Sequence, residues 1–347
     1  MRIEPELNQA SLEELLRDRY QIEVASLTFV PFGLDSWSYV ATCFDGSRAF
    51  VKLSRGSSEP RPSEVPLMAA LAARGVPVPR PIADRNGGYV NDVDGYEVQV
   101  LEYLEGRSLE DETAWPDDLY ARVAETVAAV HRSTGAVRHL VARAEAYDLP
   151  FLPQFAETLA AIEAGGVLPD HDEVALARLR GLVAPKAPGL RAAIGRLQAL
   201  RDLAQVRPSD DVLCHTDIWG SNLLLGDDGT LHLLDWNGAL IGPPEHDLFM
   251  FGGTSFFPAE RLGWFLDRYE AVFRVRLEAD TFGFYLYRRN LEDLAGFVGD
   301  MAEGRMEAMS PTAMLGIIQN LLVETPLVDG QIERIRDALA RRGSANG

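Results

Sequence analysis

Cysteine occurs only twice in these 347 residues, at Cys43 and Cys214, so neither a disulfide framework nor a cysteine-built metal cluster can form within the chain. No apolar run approaches the roughly 18 uninterrupted residues expected of a membrane helix, and MRIEPELNQA lacks the hydrophobic centre of a secretory signal. The expected address is therefore the cytoplasm. Positive charge is also short: 33 Lys and Arg face 52 Asp and Glu, a formal net charge of −19. Such a field repels phosphate backbones and anionic lipid, which argues against nucleic acid or a membrane as partner, and it would concentrate a cationic small molecule. Lysine is the scarcest cation, present only as Lys52 and Lys186. In a chain that otherwise uses arginine, Lys52 marks a place where the bulkier planar guanidinium does not serve.

A hydrophobic content of 47% leaves no room for wholesale disorder, and the length exceeds what one compact core usually reaches, so two lobes or two domains are expected. Ser11, with Glu14 three residues on, predicts a short capped helix over SLEELLRDRY. TFVPF, WSYVATCF and SRAFVKL then predict three antiparallel strands, the last two joined at Asp45-Gly46. One helix follows over PSEVPLMAALAARG, stopped at Gly75. A second strand pair is expected around 81–85 and 96–103, joined through Asn86-Gly87-Gly88 and Asp94-Gly95. Beyond Leu104-Glu105-Gly106 the periodicity is helical, at 117–133, 151–164, 171–183, 189–206, 258–270, 277–298, 311–323 and 331–342.

The exception is CHTDIWGSNLLLGDDGTLHLLDW, which predicts a strand, a polar loop and a hairpin over 212–236. Asp217, Asn222 and Asp235 lie on or beside it, separated by 5 and 13 residues. Phosphoryl transfer needs a carboxylate to orient a hydroxyl and take its proton, and hard oxygen ligands to hold Mg²⁺ against nucleotide phosphates. Asp217 suits the first task, Asn222 and Asp235 the second. His215 reads as a structural histidine that orders the loop.

The pattern H-x-D-x-x-x-x-N followed by L-L-D-W resembles the catalytic segment of the aminoglycoside phosphotransferase and choline kinase-like superfamily, relatives of protein kinases. The resemblance runs from about Phe29 to Phe297 and is weakest over 136–205. YLYRRNLEDLAGFVGD is similar to the branch containing spectinomycin phosphotransferase. It implies an α+β, protein-kinase-like fold with a nucleotide-binding lobe at 1–103, namely a small antiparallel sheet with one helix. A larger, mainly helical lobe at 104–347 would bind substrate and carry a helical insert at about 136–205. The same resemblance makes Lys52 the phosphate-gripping lysine and Glu64 its helix partner, where Glu64 alone would read as helix-dipole compensation. VQVLEYLEG would be the hinge, with Glu102 and Leu104 offering backbone groups to a purine. GPPEHDL would place Asp247 as a structural brace. The first hairpin departs from the protein-kinase pattern, since Gly33 stands alone where three glycines are usual; Ser36 and Ser38 are the remaining phosphate-loop candidates, a surface turn the other reading.

The function expected is transfer of the γ-phosphoryl group of ATP or GTP, with Mg²⁺, to a hydroxyl of a small polar cationic molecule, an aminoglycoside or aminocyclitol antibiotic being favoured. Glu292, Asp293 and Asp300 are candidates for binding its ammonium groups, unless they form a solvated helix face. A metabolic kinase for choline, homoserine or an amino sugar is the rival enzyme, and a nucleotide-binding pseudokinase the rival outside enzymology. A protein kinase is disfavoured because no A-P-E segment follows Asp235 before Gly242-Pro243-Pro244.

Overall fold

Asn8, not Ser11, begins the first helix: its side chain accepts the Ala10 N–H at 3.1 Å, and α1 runs Gln9–Tyr20. The computed structural model describes residues 4–31, 36–55, 64–110, 115–165, 173–207, 210–252, 257, 261–305 and 309–345. Within these the chain divides into two compact units, Met1–Ala144 with Val212–Ile241, and Glu145–Asp211 with Gly242–Gly347. The first unit thus joins residues 115–144 and 212–241 to the N-terminal sheet region.

In the first unit, β1 (Val24–Val30), β2 (Trp37–Cys43), β3 (Arg48–Arg55), α2 (Val65–Ala72), β4 (Val90–Val93) and β5 (Tyr96–Glu102) follow in sequence. The sheet order is β1-β2-β3-β5-β4, antiparallel throughout. Asp45 holds the β2–β3 turn by accepting from the Ser47 N–H at 2.9 Å, with Gly46 at φ 85°. Period-two alternation puts Ala49, Val51 and Leu53 on one face of β3, packed with Leu12, Leu16 and Tyr20 of α1. Each fully buried leucine contributes about 1.5–3 kcal/mol to that core. Lys52 consequently lies on the opposite face.

One expected strand is absent. Residues 81–85 form only an isolated bridge, Pro81 to Leu101, and the arm that pairs with β5 is β4, across the Asp94-Gly95 turn. Proline lacks the N–H a ladder needs, so Ile82 and Glu102 supply the two bonds that tie this stretch to β5, to the carbonyls of Val100 and Arg80.

The unit continues with β6 (Gly106–Ser108), α3 (Asp117–Arg132), α4 (Thr134–Val137), β7 (Val212–Cys214), β8 (Leu223–Gly226), β9 (Leu231–Leu233) and β10 (Leu240–Gly242). The expected hairpin is β8–β9, and β6 adds a third strand to it in the order β6-β8-β9. β10 pairs with β7.

The second unit is helical: α5 (Leu152–Glu163), α6 (Glu173–Val183), α7 (Ala187–Val206), α8 (Glu245–Leu248), α9 (Leu262–Val272), α10 (Ala279–Glu303), α11 (Pro311–Glu324) and α12 (Val328–Ala345). Seven consecutive residues of α10, Thr281 to Tyr287, are buried, so this stretch is enclosed on all sides, packed among α7, α11 and α12. Among the described residues no helix is long and apolar enough to cross a membrane.

Glu145 ties this unit together. Its carboxylate accepts from Tyr285 Oη at 2.9 Å, from Arg288 Nη1 at 3.3 Å and from the Tyr147 N–H at 2.7 Å, and lies 3.1 Å from His246 Nδ1. Burial alone would raise its pKa, but the hydrogen bond and charge of His246, then Arg288, outweigh it and hold the group at about 2 rather than 4.5. A carboxyl depressed in the folded state contributes stability that is complete above its unfolded value and is lost as pH falls toward the folded one. Glu145→Gln is therefore expected to lower the unfolding free energy at pH 7 by on the order of 2–3 kcal/mol. It should also flatten the decline of stability between about pH 4.5 and 2. Urea titrations across that range measure both, and unchanged curves would contradict the assignment.

Candidate active site

Lys52 is held by three acceptors. Its Nζ lies 3.7 Å from Glu64 Oε1, 3.6 Å from Asp235 Oδ1 and 3.4 Å from Asn237 Oδ1. Lys52 and Glu64 are each 17% exposed, whereas Asp235 is 53% exposed. Glu64 sits at the start of α2, whose first turn tolerates Pro66 because the missing N–H has no partner there in any helix. Ser38 of β2 stands directly across from Lys52 in the strand register and is buried, and Ser36 immediately precedes that strand. Gly33 lies outside the described residues.

The 215–222 loop is fixed from several directions. His215, wholly buried, donates from Nε2 to the Leu234 carbonyl at 2.7 Å and accepts the Asp217 N–H on Nδ1 at 3.4 Å, so its partners define one tautomer. Its ring meets Trp236 edge-on at 4.9 Å between centroids. Asn222 Nδ2 donates both to Asp217 Oδ2 at 2.8 Å and to the Asp217 carbonyl at 2.9 Å. These bonds lock the Asp217 side chain, and among the described residues the Asn222 Oδ1 is left unengaged. Gly220 fits where a Cβ would lie 2.6 Å from the Leu109 carbonyl.

Two non-glycine residues here have left-handed backbones: Thr216 at φ 79° and Asp235 at φ 58°. For a β-branched threonine this is a true outlier, and such strain, of order 1–3 kcal/mol each, persists only where surroundings over-determine it. Thr216 immediately precedes Asp217, and Asp235 carries a candidate ligand carboxylate itself. Gly238 contributes to that over-determination, since a Cβ there would lie 2.3 Å from Thr216 Oγ1.

Glu102 ends β5, and its backbone N–H is already donated to the Arg80 carbonyl at 2.8 Å while its Oε1 accepts the Arg80 N–H at 2.9 Å. Its backbone N–H is thereby committed within the unit. Nearby, burial pushes the His232 imidazole down, against the upward pull of the Glu102 charge and then Asp228. Leu104 lies in the irregular segment between β5 and β6.

In the second unit, Asp247 is 1% exposed within α8. Glu292, Asp293 and Asp300 lie on α10, and each faces an arginine: Arg288 at 3.8 Å, Arg289 at 2.9 Å and Arg305 at 2.8 Å. The pattern RRNLED shows the first two pairs at i,i+4, a signal the sequence carried. Sequence reasoning gave no role to Asn237 or to Arg143, whose Nη2 donates to the Asn237 carbonyl.

The sequence pattern of the phosphotransferase enzyme family, APH, matches residues 30–282. The structure is similar to spectinomycin phosphotransferase in complex with ADP and spectinomycin, with a TM-score of 0.76 at 18% identity, covering 94% of this chain and 100% of that one. It is also similar to a choline kinase from Streptococcus pneumoniae, with a TM-score of 0.57 at 15% identity, covering 92% and 98%. A homoserine kinase from Methylobacillus flagellatus is 28% identical over 88 residues, 25% of this chain; the match spans only 28% of that enzyme's length. The fold is thus that of the protein-kinase-like phosphotransferases, α+β with an N-terminal antiparallel sheet and a helical C-terminal part. The chain belongs to the phosphotransferase enzyme family, APH.

Proposed function

We propose that this enzyme moves the γ-phosphoryl group of ATP or GTP onto a hydroxyl of a small, polar, cationic acceptor in the cytoplasm, with Asp217 as base and Lys52, Asn222 and Asp235 serving the nucleotide. The observation that carries the reading is the placement of Lys52 between Glu64 and Asp235, in the same unit as an Asp217 locked by Asn222. Asp217 receives the acceptor hydroxyl and takes its proton as the oxygen attacks. Lys52, braced by Glu64, meets the α/β-phosphates, and the carbonyl of Glu102 and the backbone of Leu104 meet the purine.

The donor set fits a hard divalent cation: the unengaged amide oxygen of Asn222 and the exposed carboxylate of Asp235 are both oxygen ligands, one neutral and one charged. When bound, Mg²⁺ supplies charge neutralisation on the β- and γ-phosphate oxygens.

For the acceptor, an aminoglycoside or aminocyclitol is favoured by the net charge of −19 and by the likeness to a spectinomycin kinase. The second reading, a metabolic alcohol such as homoserine or choline, draws on the other two relatives. The arginine partners of Glu292, Asp293 and Asp300 weaken the case that these acids bind ammonium groups. A panel of aminocyclitols, aminoglycosides, choline and homoserine, assayed for stimulated nucleotide turnover, distinguishes the two. For a cationic acceptor KM is expected to rise, with kcat little changed, as added salt shortens the Debye length to roughly 4 Å at 0.5 M. A salt-independent KM would move the assignment to a neutral or zwitterionic alcohol.

A further inference from the structure

The segment that follows Asp235 is clamped from two sides. On one side Gly238 lies so close to the catalytic loop that a Cβ would fall 2.3 Å from Thr216 Oγ1 and 3.1 Å from the His215 carbonyl, and Thr216 Oγ1 donates to the Gly238 carbonyl at 3.3 Å. On the other side residues 143–144 run alongside it. Ile241 donates its N–H to the Arg143 carbonyl at 2.9 Å, Ala144 and Ile241 form a parallel bridge, and the Arg143 guanidinium donates to the Asn237 carbonyl. Between these clamps the Asn237 amide oxygen accepts from Lys52 Nζ at 3.4 Å, the shortest of that lysine's three contacts.

Lysine is a point charge on a flexible four-carbon stem, so its direction is set by the acceptors around it. Glu64 approaches from α2 and Asp235 from the strained turn, and Asn237 supplies a third, neutral acceptor that fixes where between them the ammonium rests. Asn237 can do so only while its own backbone is held, and the side chain that grips that backbone is Arg143. The Trp236–Gly238 turn is held at its ends, by the Trp236 indole on the Leu233 carbonyl and by Thr216 on the Gly238 carbonyl, and the Arg143 guanidinium is the side chain that grips the Asn237 carbonyl between them.

We infer that Arg143 is a positioning residue for phosphoryl transfer: by fixing the loop after Asp235 it lets Asn237 aim Lys52 at the nucleotide phosphates. The inference rests on the role proposed above for Lys52 and adds two residues to it. Its consequence is that Arg143 and Asn237 act on one quantity, the placement of the ammonium, and so should act as a unit rather than independently.

The test uses the full chain with MgATP as probe, reading affinity by calorimetry and phosphate release to water as turnover. Arg143→Met and Asn237→Ala are each expected to weaken MgATP binding and to slow release, by on the order of 10-fold, since sub-ångström to 1 Å misplacement of a catalytic group is costly. The double variant should be no worse than the poorer single, and Arg143→Lys, which keeps one donor, should recover part of the loss. Multiplicative losses in the double variant would overturn the inference. So would a fall in kcat with MgATP affinity intact, the mark of a guanidinium that touches the transferring group itself. An equal drop in melting temperature for Arg143→Met and Arg143→Lys, without recovery of turnover, would make the role structural and likewise overturn it. Lys52→Ala separates the two layers. If Lys52→Ala abolishes turnover while Arg143→Met and Asn237→Ala match the wild type, only this inference fails; if Lys52→Ala is active, the reading beneath it fails first.

Discussion

Replacing Asp217 by asparagine is expected to slow turnover by about 10²-fold or more, the range for loss of a general base, with fold and nucleotide affinity unchanged. The reason lies in how the residue is held. Asn222 Nδ2 donates to one carboxylate oxygen and to the Asp217 carbonyl, and an asparagine at 217 can present its amide oxygen to the same donor. The rotamer, the loop and the His215 contact to the 217 N–H are therefore retained. What is lost is the ability to take a proton, because an amide is not a base near neutral pH. Acceptor phosphorylation measured at saturating nucleotide, beside calorimetric nucleotide affinity, reads the two effects apart. A variant that keeps a near wild-type rate would remove Asp217 from the chemistry, and one that loses nucleotide binding in step with rate would show that it shapes the site instead.

The hairpin that carries this chemistry was legible because its determinants are local. Asp228-Gly229 sets the turn, with Gly229 at φ 82° and Asp228 accepting from the Thr230 N–H at 2.8 Å, and hydrophobic runs on either side fix the two strands. Helices with strong periodicity were read with ends a few residues out. β6 and β10 were not legible. Each has three residues, too few for a period to show, and each is a strand only because a partner distant in sequence, Leu224–Gly226 or β7, presents an edge to it.

Residues 81–85 misled for a related reason. Val, Ile and proline in VPVPRPI, residues 76–82, look extended up to and into this stretch, which is tied to β5 by two backbone bonds, but proline cannot continue a ladder. The Asp94-Gly95 turn, with φ of 53° and 79°, was the better guide, and it marks β4. Lys52 and Glu64 were placed together by resemblance alone, since 12 residues separate them and neither carries a spacing rule. Asn237 and Arg143 carry no signal for their contact: one simply follows the L-L-D-W motif in Asp235-Trp236-Asn237, the other is an arginine 94 positions away.

Asp235→Ala should separate metal from lysine at the same site. If Asp235 is a metal ligand, its removal is expected to weaken Mg²⁺-nucleotide affinity by at least about 10²-fold, given that loss of groups merely supporting a ligand typically costs 10–100-fold. Stability should hardly move. The contact to Lys52 is 3.6 Å long and Asp235 is 53% exposed, so solvent screens the pair, which is worth about 0–1 kcal/mol. Relief of the left-handed backbone is no help either, because alanine tolerates φ 58° no better than aspartate. The sharper expectation concerns nucleotide without metal. Asp235 then offers only a negative charge that repels phosphate and competes for Lys52, so in EDTA the variant should bind ATP or GTP at least as tightly as the wild type. Calorimetry with Mg²⁺ and with EDTA, on both proteins, gives four affinities. A loss of equal size in both media would mean that Asp235 serves the fold of the 235–241 loop rather than the metal, and an unchanged affinity with saturating Mg²⁺ would remove it from the ligand set altogether.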